Sequence, residues 1–453
     1  MLKNHFLLLS LGVSMSLYAG SISSTPIESS LVVYNGNIGL VHEEKKITLD
    51  EGTQAIIYED VAQTVQTDSV NVIFPSPVTL YSQQYRFDSI TAAKLLEAHI
   101  GKVIKVKTAV KRDEFIIQEA TLLAADKYNA VVKTTKGEIF STVSSMIIFK
   151  NVPDTLITKP SLVWNINSSK SMESTISVDY LINNITWQSN YVLNLKENRA
   201  DLSGWITVDN RSGKRFNDVK LNVLAGDINR AKRTPQRVMY KAAAMVMEDA
   251  PVSHIAHEGY HFYTIPFRIT LANNEKTQIK FIDERHLPIK RRYEARLNHP
   301  NYLHSEIKHK VSQFVEIDSL EVPLPSGVVR SYSKVNDTTL LLGESRVDHT
   351  PKHEKISLRL GTNFDLKVNE KLIERNDDKR YFDERISYEV INRSNIEQTV
   401  ELLIPFIKSA YHAKASIDTK QAYRWKDGST MQFKIKVKAD SKESFDVHYR
   451  SKK

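Results

Sequence analysis

Alternation of apolar and polar side chains at every second residue constrains this chain more than any other feature. Phe433, Ile435 and Val437 interleave with Lys434, Lys436 and Lys438, so an extended backbone puts the apolar groups on one face and the ammonium groups on the other. Phe445 to Arg450, Ile176 to Tyr180 and Ile356 to Leu360 repeat the pattern. Parallel sheets, covered on both faces, need continuous apolar runs, so the alternation predicts antiparallel sheets with one wet face. Gly, Asn and Asp recur between the segments and supply turns. The expected fold class is all-β: an N-terminal β domain with an inserted or appended SH3-like small barrel, then antiparallel β-sandwich domains, with few short helices.

A chain of 453 residues exceeds the size at which one core stops growing, so several domains are expected. After a two-turn helix from Ala92 to Ile100, five short strands follow at close spacing: near Gly101, from Ile116 to Leu123, then near Tyr128, Gly137 and Met146. Such a run suits a small barrel over 95–152 whose edges close on themselves. The expected division is 20–160 for the N-terminal domain with this barrel, then 161–232 and 263–453 for the sandwich parts. Between the last two, 233–262 reads as a linker or short helix, with Arg237 to Ala250 rich in Ala and Met and Pro251 as a stop.

Lys3, an apolar run from Phe6 to Leu17, and small residues at Ala19 and Gly20 form the pattern of a secretory signal peptide over 1–19. No later run is long and apolar enough to span a bilayer, so the mature chain is expected without a transmembrane span. Export exposes a chain to disulfide-forming compartments, yet there is no cysteine. That excludes thiol nucleophiles, Cys-ligated zinc and a lipidated cysteine. The formal net charge of +9 favours anionic partners in an envelope, such as an anionic glycan or peptidoglycan, besides another envelope protein. No nucleic acid is expected there. The densest basic stretch, Arg285 to Lys310, reads as outward strand faces in water. The expected location is the periplasm or the outer-membrane or cell surface of a Gram-negative bacterium.

Particular residues suggest a family. Tyr180 to Tyr191 with Trp187, then Gly204, Trp205, Asn210 and Gly213, then Phe216, Asp218, Leu221, Ala225 and Gly226, resemble the core of the DUF4139 proteins, the mucoidy inhibitor A family. Downstream, Arg330, Tyr332, Leu342 to Glu344, Asp348 to Glu354 and Leu360 to Asp365 resemble its second block, and Val33 to Val41 with Leu95 to Lys102 resemble its beginning. The resemblance implies an exported β-rich protein without established enzymatic activity, linked by name to suppression of mucoid exopolysaccharide. Many relatives carry a long coiled coil between N-terminal β elements, whereas this chain has no heptad region.

Three constellations offer chemistry. Trp187, Tyr191 and Trp205 each combine an apolar body with a polar tip, suited to sandwich corners or to stacking on a ligand such as a sugar. His254, His257 and His261 are spaced three and four apart, which on a helix would align three imidazoles for zinc, although Pro251 and Gly259 interrupt a helix. Asp348, His349, His353 and Glu354 place carboxylates beside imidazoles, able to do acid–base work if desolvated in a cleft, or else to shape a turn around Pro351. Asp283, Glu284 and His286 form a weaker set of the same kind. Neither a Gly-rich phosphate loop nor a nucleophile elbow is present, and no cofactor is expected. Asn184, Asn210, Asn336 and Asn392 match the glycosylation pattern and read as polar turns and strand edges. The expected function is a non-enzymatic binding or scaffolding module. The alternatives are an envelope-polymer hydrolase using Asp348 to Glu354 and a metal-binding protein using the three histidines.

Overall fold

The computed structural model describes residues 21–111, 114–153, 156–225, 253–257, 260–376, 378–406 and 416–452. The protein is all-β, with one α-helix, Ala92–Ala98, among the described residues. Thr91 caps that helix by accepting from the Lys94 amide at 3.2 Å. The chain forms two compact units, residues 1–187 with 209–276 and residues 188–208 with 277–453. This differs from a break near 160. Ser161–Ser168 pairs with both Gly52–Glu59 and Val78–Arg86, and Met172–Asn183 pairs along all of Ile38–Leu49, so the strands after 160 complete sheets begun before it. The expected linker over 233–262 also changes, because Ser253–His257 and Tyr260–Leu271 are paired strands. The helix expected from Arg237 to Ala250 lies outside the described residues.

In the first unit an eight-stranded sheet runs in the order Ser253–His257, Tyr260–Leu271, Phe216–Ala225, Glu28–Tyr34, Ile38–Leu49, Met172–Asn183 and Asn71–Ile73, with Ser21–Ile22 beside Ile38–Leu49. A three-stranded sheet has Ser161–Ser168 at its centre, and its buried Trp164 donates to Gln83 Oε1 at 2.7 Å and packs against Tyr58 and Phe74. The five-stranded small-barrel sheet runs Ile139–Val143, Asn129–Thr134, Glu114–Ala125, Val103–Lys111, Ile147–Ile148. Its own core is built from Leu96, Ile104, Val106, Ala120, Leu122, Ala130, Val132 and Ile147. Beyond the pair Val106 and Gln118 the hairpin continues through Lys107–Ile117, Thr108–Ile116 and Ala109–Phe115, past the last core residue. Val110, Phe115, Ile116 and Ile117 are exposed there, and period two puts Ile116 on one face and Phe115 and Ile117 on the other.

In the second unit a nine-stranded sheet runs Ser416–Asp418, Ser441–Lys452, Tyr381–Asn392, Ile356–Arg375, Glu306–Ile317, Lys290–Arg296, Gln398–Pro405, Thr430–Val437, Tyr423–Asp427. Its long strand Ile356–Arg375 serves two cores. Ile356, Leu358 and Leu360 enter one, and Leu366 and Val368 the other. A further five-stranded sheet runs Glu275–Pro288, Arg199–Asn210, Ile185–Leu195, Gly327–Val335, Thr338–Val347.

The two units repeat one design. Six strands of the first, in sheet order Ser253–His257, Tyr260–Leu271, Phe216–Ala225, Glu28–Tyr34, Ile38–Leu49 and Met172–Asn183, match six of the second. Those are Tyr423–Asp427, Thr430–Val437, Gln398–Pro405, Lys290–Arg296, Glu306–Ile317 and Ile356–Arg375. Their order along the chain is the same, and in each set the only parallel pair is the third strand with the fourth. Each set has the same clamp. Arg199–Asn210 and Tyr381–Asn392 both end at the asparagine of an Asn-Arg-Ser sequence. Asn210 Nδ2 donates to the carbonyls of Lys214 (2.8 Å), Leu271 (3.3 Å) and Ala272 (3.1 Å). Asn392 Nδ2 donates to those of Ile396 (2.8 Å), Val437 (3.1 Å) and Lys438 (3.0 Å). Both Oδ1 atoms accept from the backbone N–H and hydroxyl of the serine two residues on. Both asparagines are buried, so they are structural clamps and not surface sequons.

Asn210→Ala and Asn392→Ala should each lower unfolding free energy by at least about 2 kcal/mol, since unpaired buried acceptors cost about 1–3 kcal/mol each. Urea unfolding measures this, and Asn→Asp at either position should destabilise too, because a carboxylate cannot donate.

Candidate functional site

The structure separates the sequence candidates. Trp187 is buried, donates to Leu224 O at 3.1 Å and lies 6.4 Å from the Tyr263 ring. Tyr191 is fully buried and donates to Pro325 O at 2.7 Å. Trp205 is half-buried. Trp187 and Tyr191 therefore present no open ring face for stacking and act as corner residues.

Asp348, His349, His353 and Glu354 are all exposed. His349 Nδ1 accepts from the Ser326 amide at 3.2 Å, and the Thr350 hydroxyl donates to Asp348 O at 2.9 Å. Leu324 and Thr350 form a β-bridge, and His353 takes a left-handed conformation at φ 63°. The cluster is a hydrogen-bonded turn in water, without the desolvation that acid–base work requires. Asp283 is likewise exposed, and the hydrogen bonds from Lys280 and Arg285 hold its carboxyl below the usual range. The segment carrying His254, His257 and His261 is a β-hairpin, Ser253–His257 on Tyr260–Leu271, so the helical spacing behind the zinc reading does not apply. The basic stretch is neutralised in part: Lys290 pairs with Asp318, Arg292 with Glu294 and Glu316, and Arg296 with Glu294.

A site that the sequence candidates missed lies in the first unit. Along Ile38–Leu49 the inward positions are Val41, Glu43, Lys45, Ile47 and Leu49, so period two carries a carboxylate and an ammonium into the interior. Lys214, in the turn after the Asn210 clamp, joins them. Its left-handed neighbour Gly213 (φ +81°) lies where a Cβ would meet Gln63 at 2.5 Å. Lys214 Nζ lies 2.8 Å from Glu43 Oε1 and also donates to Asp60 O. Tyr58 donates to Glu43 Oε2 at 2.6 Å. Lys45 Nζ sits 4.1 Å over the Tyr58 ring and donates to Glu59 O at 3.3 Å. Above these groups is a cavity of about 470 Å³ lined by Glu43, Lys45 and Lys214, with Phe216, Arg268 and the segment Ser24 to Ile27 as walls.

Electrostatics follow from two lysines sharing one buried carboxylate. Burial alone would raise the Glu43 pKa, but Lys214 and Lys45, with hydrogen bonds from Lys214 and Tyr58, hold it below its ordinary 4.5. Burial lowers the Lys45 pKa from 10.5, offset in part by Glu43 and reinforced by Lys214. Burial, then the Glu43 charge, pushes the Tyr58 hydroxyl well above 10.0. Glu43 thus contributes stability above about pH 4.5 that fades as pH falls through its depressed value. Lys45 has the opposite sense: its charge costs stability at neutral pH, and the cost is relieved as pH rises toward 10.5.

No family model matches the chain, and no curated protein matches it.

Glu43→Gln strands two buried ammonium groups and should cost about 3–5 kcal/mol. Lys214→Met should cost less, because Lys45 still compensates Glu43, and Lys45→Met should be neutral or stabilising. Unfolding midpoints in urea test this order. Glu43→Gln should also flatten the acid limb of a stability–pH profile.

Proposed function

We propose that this protein is an exported, non-enzymatic binding or scaffolding module of a bacterial envelope, with another envelope protein as its partner. The resemblance to the mucoidy inhibitor A family and the leader pattern at Lys3 to Gly20 support the location. Among the described residues no helix is long and apolar enough to cross a membrane.

The observation that carries the binding role is the hairpin arm of the small barrel. Val110, Phe115, Ile116 and Ile117 stand exposed on both faces of a ribbon that extends past its own core. Apolar side chains grouped this way gain most from burial against a partner surface. Lys107, 4.2 Å over the Phe115 ring, adds a cationic group to the same arm. An anionic glycan is a weaker candidate for the arm, because its exposed surface is mainly aliphatic. The hydrolase alternative lacks a desolvated acid–base pair in the turn from Asp348 to Glu354.

Phe115→Lys/Ile117→Lys leaves the barrel core intact and should abolish cross-linking of the purified protein to a reproducible partner in envelope extracts. Unchanged cross-linking would remove the arm from the account. Recovery of the protein from the cytosol with its first nineteen residues attached would end the envelope reading.

A further inference from the structure

The repeat within the chain supplies its own control for the buried charges of the first unit. The Lys214 and Ile396 carbonyls occupy equivalent places, each accepting from its clamp asparagine at 2.8 Å. Where the first unit has a buried lysine, the second therefore has an exposed isoleucine, 59% accessible. The clamp needs no lysine, so the buried ammonium group of Lys214 is not required by the shared scaffold.

Glu43 is the one carboxylate buried with them, and it is already bonded to Lys214 and Tyr58. Lys45 is 2% accessible, and among the described residues it has no carboxylate in ion-pair range. The other acids that act on it, Asp60 and Glu59, are more than half exposed, so water screens them. An ammonium carries three donors, and Glu59 O takes one. Glu43 is thus the one buried opposite charge of Lys45, shared with Lys214 and out of ion-pair range, and a buried cation compensated only in part is costly unless something else supplies charge. This one borders a cavity of about 470 Å³ whose rim includes exposed Ser24 and Thr25.

We propose that the cavity binds the carboxylate or phosphate group of a small ligand, with Lys45 as its charge partner at the floor. The volume falls in the range of about 300–1,000 Å³ typical of small-molecule sites. Phe216 and Ile27 offer apolar contact, and Ser24, Thr25 and Asn217 offer hydroxyl and amide groups. Arg268 at the wall is committed to Glu28 Oε2 and Asp218 O, both at 2.7 Å, and Lys214 is bonded to Glu43. Arg215, Asp60 and Asp218 stand exposed at the rim, where water screens them, so Lys45 is the buried charge left to discriminate. The site is independent of the hairpin arm and of the compartment, and loss of either reading leaves it standing.

Calorimetric titration of the purified full chain at constant ionic strength tests it. D-glucuronate and glycerol 3-phosphate are the anionic probes, and D-glucose and glycerol are their neutral counterparts. At least one anion should bind tenfold or more tightly than its neutral counterpart. Binding of glucuronate alone assigns a carboxylate ligand, and of glycerol 3-phosphate alone a phosphate ligand. Lys45→Met should weaken that binding tenfold or more without lowering the melting temperature. If this variant does not fold, NMR of the wild-type lysine ε-carbons gives the answer, since bound anion should move the Lys45 titration to higher pH. Anions that bind no better than the neutral probes, a Lys45→Met variant that binds like wild type, or a Lys45 titration unmoved by anion would each overturn the proposal.

Discussion

A primary amide has two N–H donors and one oxygen acceptor, and in each half of this protein one buried asparagine commits all of them to backbone and serine partners at the foot of a sheet. Asn210 holds its own turn to the end of a strand 61 residues away at Leu271, and Asn392 does the same with Val437, 45 residues away. Strand ends carry carbonyls that have left the ladder but are not yet in water, and an amide meets two or three of them at once. Alternation sets which faces are apolar. The asparagines set where strands stop, and therefore which strands become neighbours.

Around that shared frame the halves have taken different polar interiors. The first buries Glu43, Lys45 and Lys214 beneath a cavity. The second buries Glu370 beside His309 at 2.7 Å and joins the Tyr388 and Tyr449 hydroxyls at 3.0 Å. It also gathers Glu294, Glu316 and Glu401 around Arg292. Buried polar groups are seldom needed for stability, so differences of this kind between copies mark where specific roles can reside.

Much of the architecture was legible in the sequence because strand alternation is a local signal. Phe433 to Val437 and Ile176 to Tyr180 are strands as expected, and the helix at Ala92 is followed by the five strands of the small-barrel sheet. The division near residue 160 was not legible, because pairing of Ser161–Ser168 with strands far upstream depends on long-range register. The doubled Asn-Arg-Ser was in plain view at 210 and 392, yet three polar residues between strands look like any solvated turn. The buried site was hidden by composition: His42, Glu43, Glu44, Lys45 and Lys46 together look wholly solvent-facing. Carrying the phase of Val41, Ile47 and Leu49 through that run would have put Glu43 and Lys45 inside. The histidines lie on paired strands and not on a helix, and the Asp348 cluster lies in water, because proximity in sequence specifies neither backbone type nor exclusion of water.

The two copies accept their largest insertions at the same topological place, after the second strand and before the third. In the first copy residues 50–171 intervene and include the small barrel, and in the second residues 318–355 intervene and include the hairpin Gly327–Val335 with Thr338–Val347. The six-stranded layer is indifferent to which passenger occupies that junction. It works as a socket, and evolution can exchange what is plugged into it while the supporting layer stays unchanged.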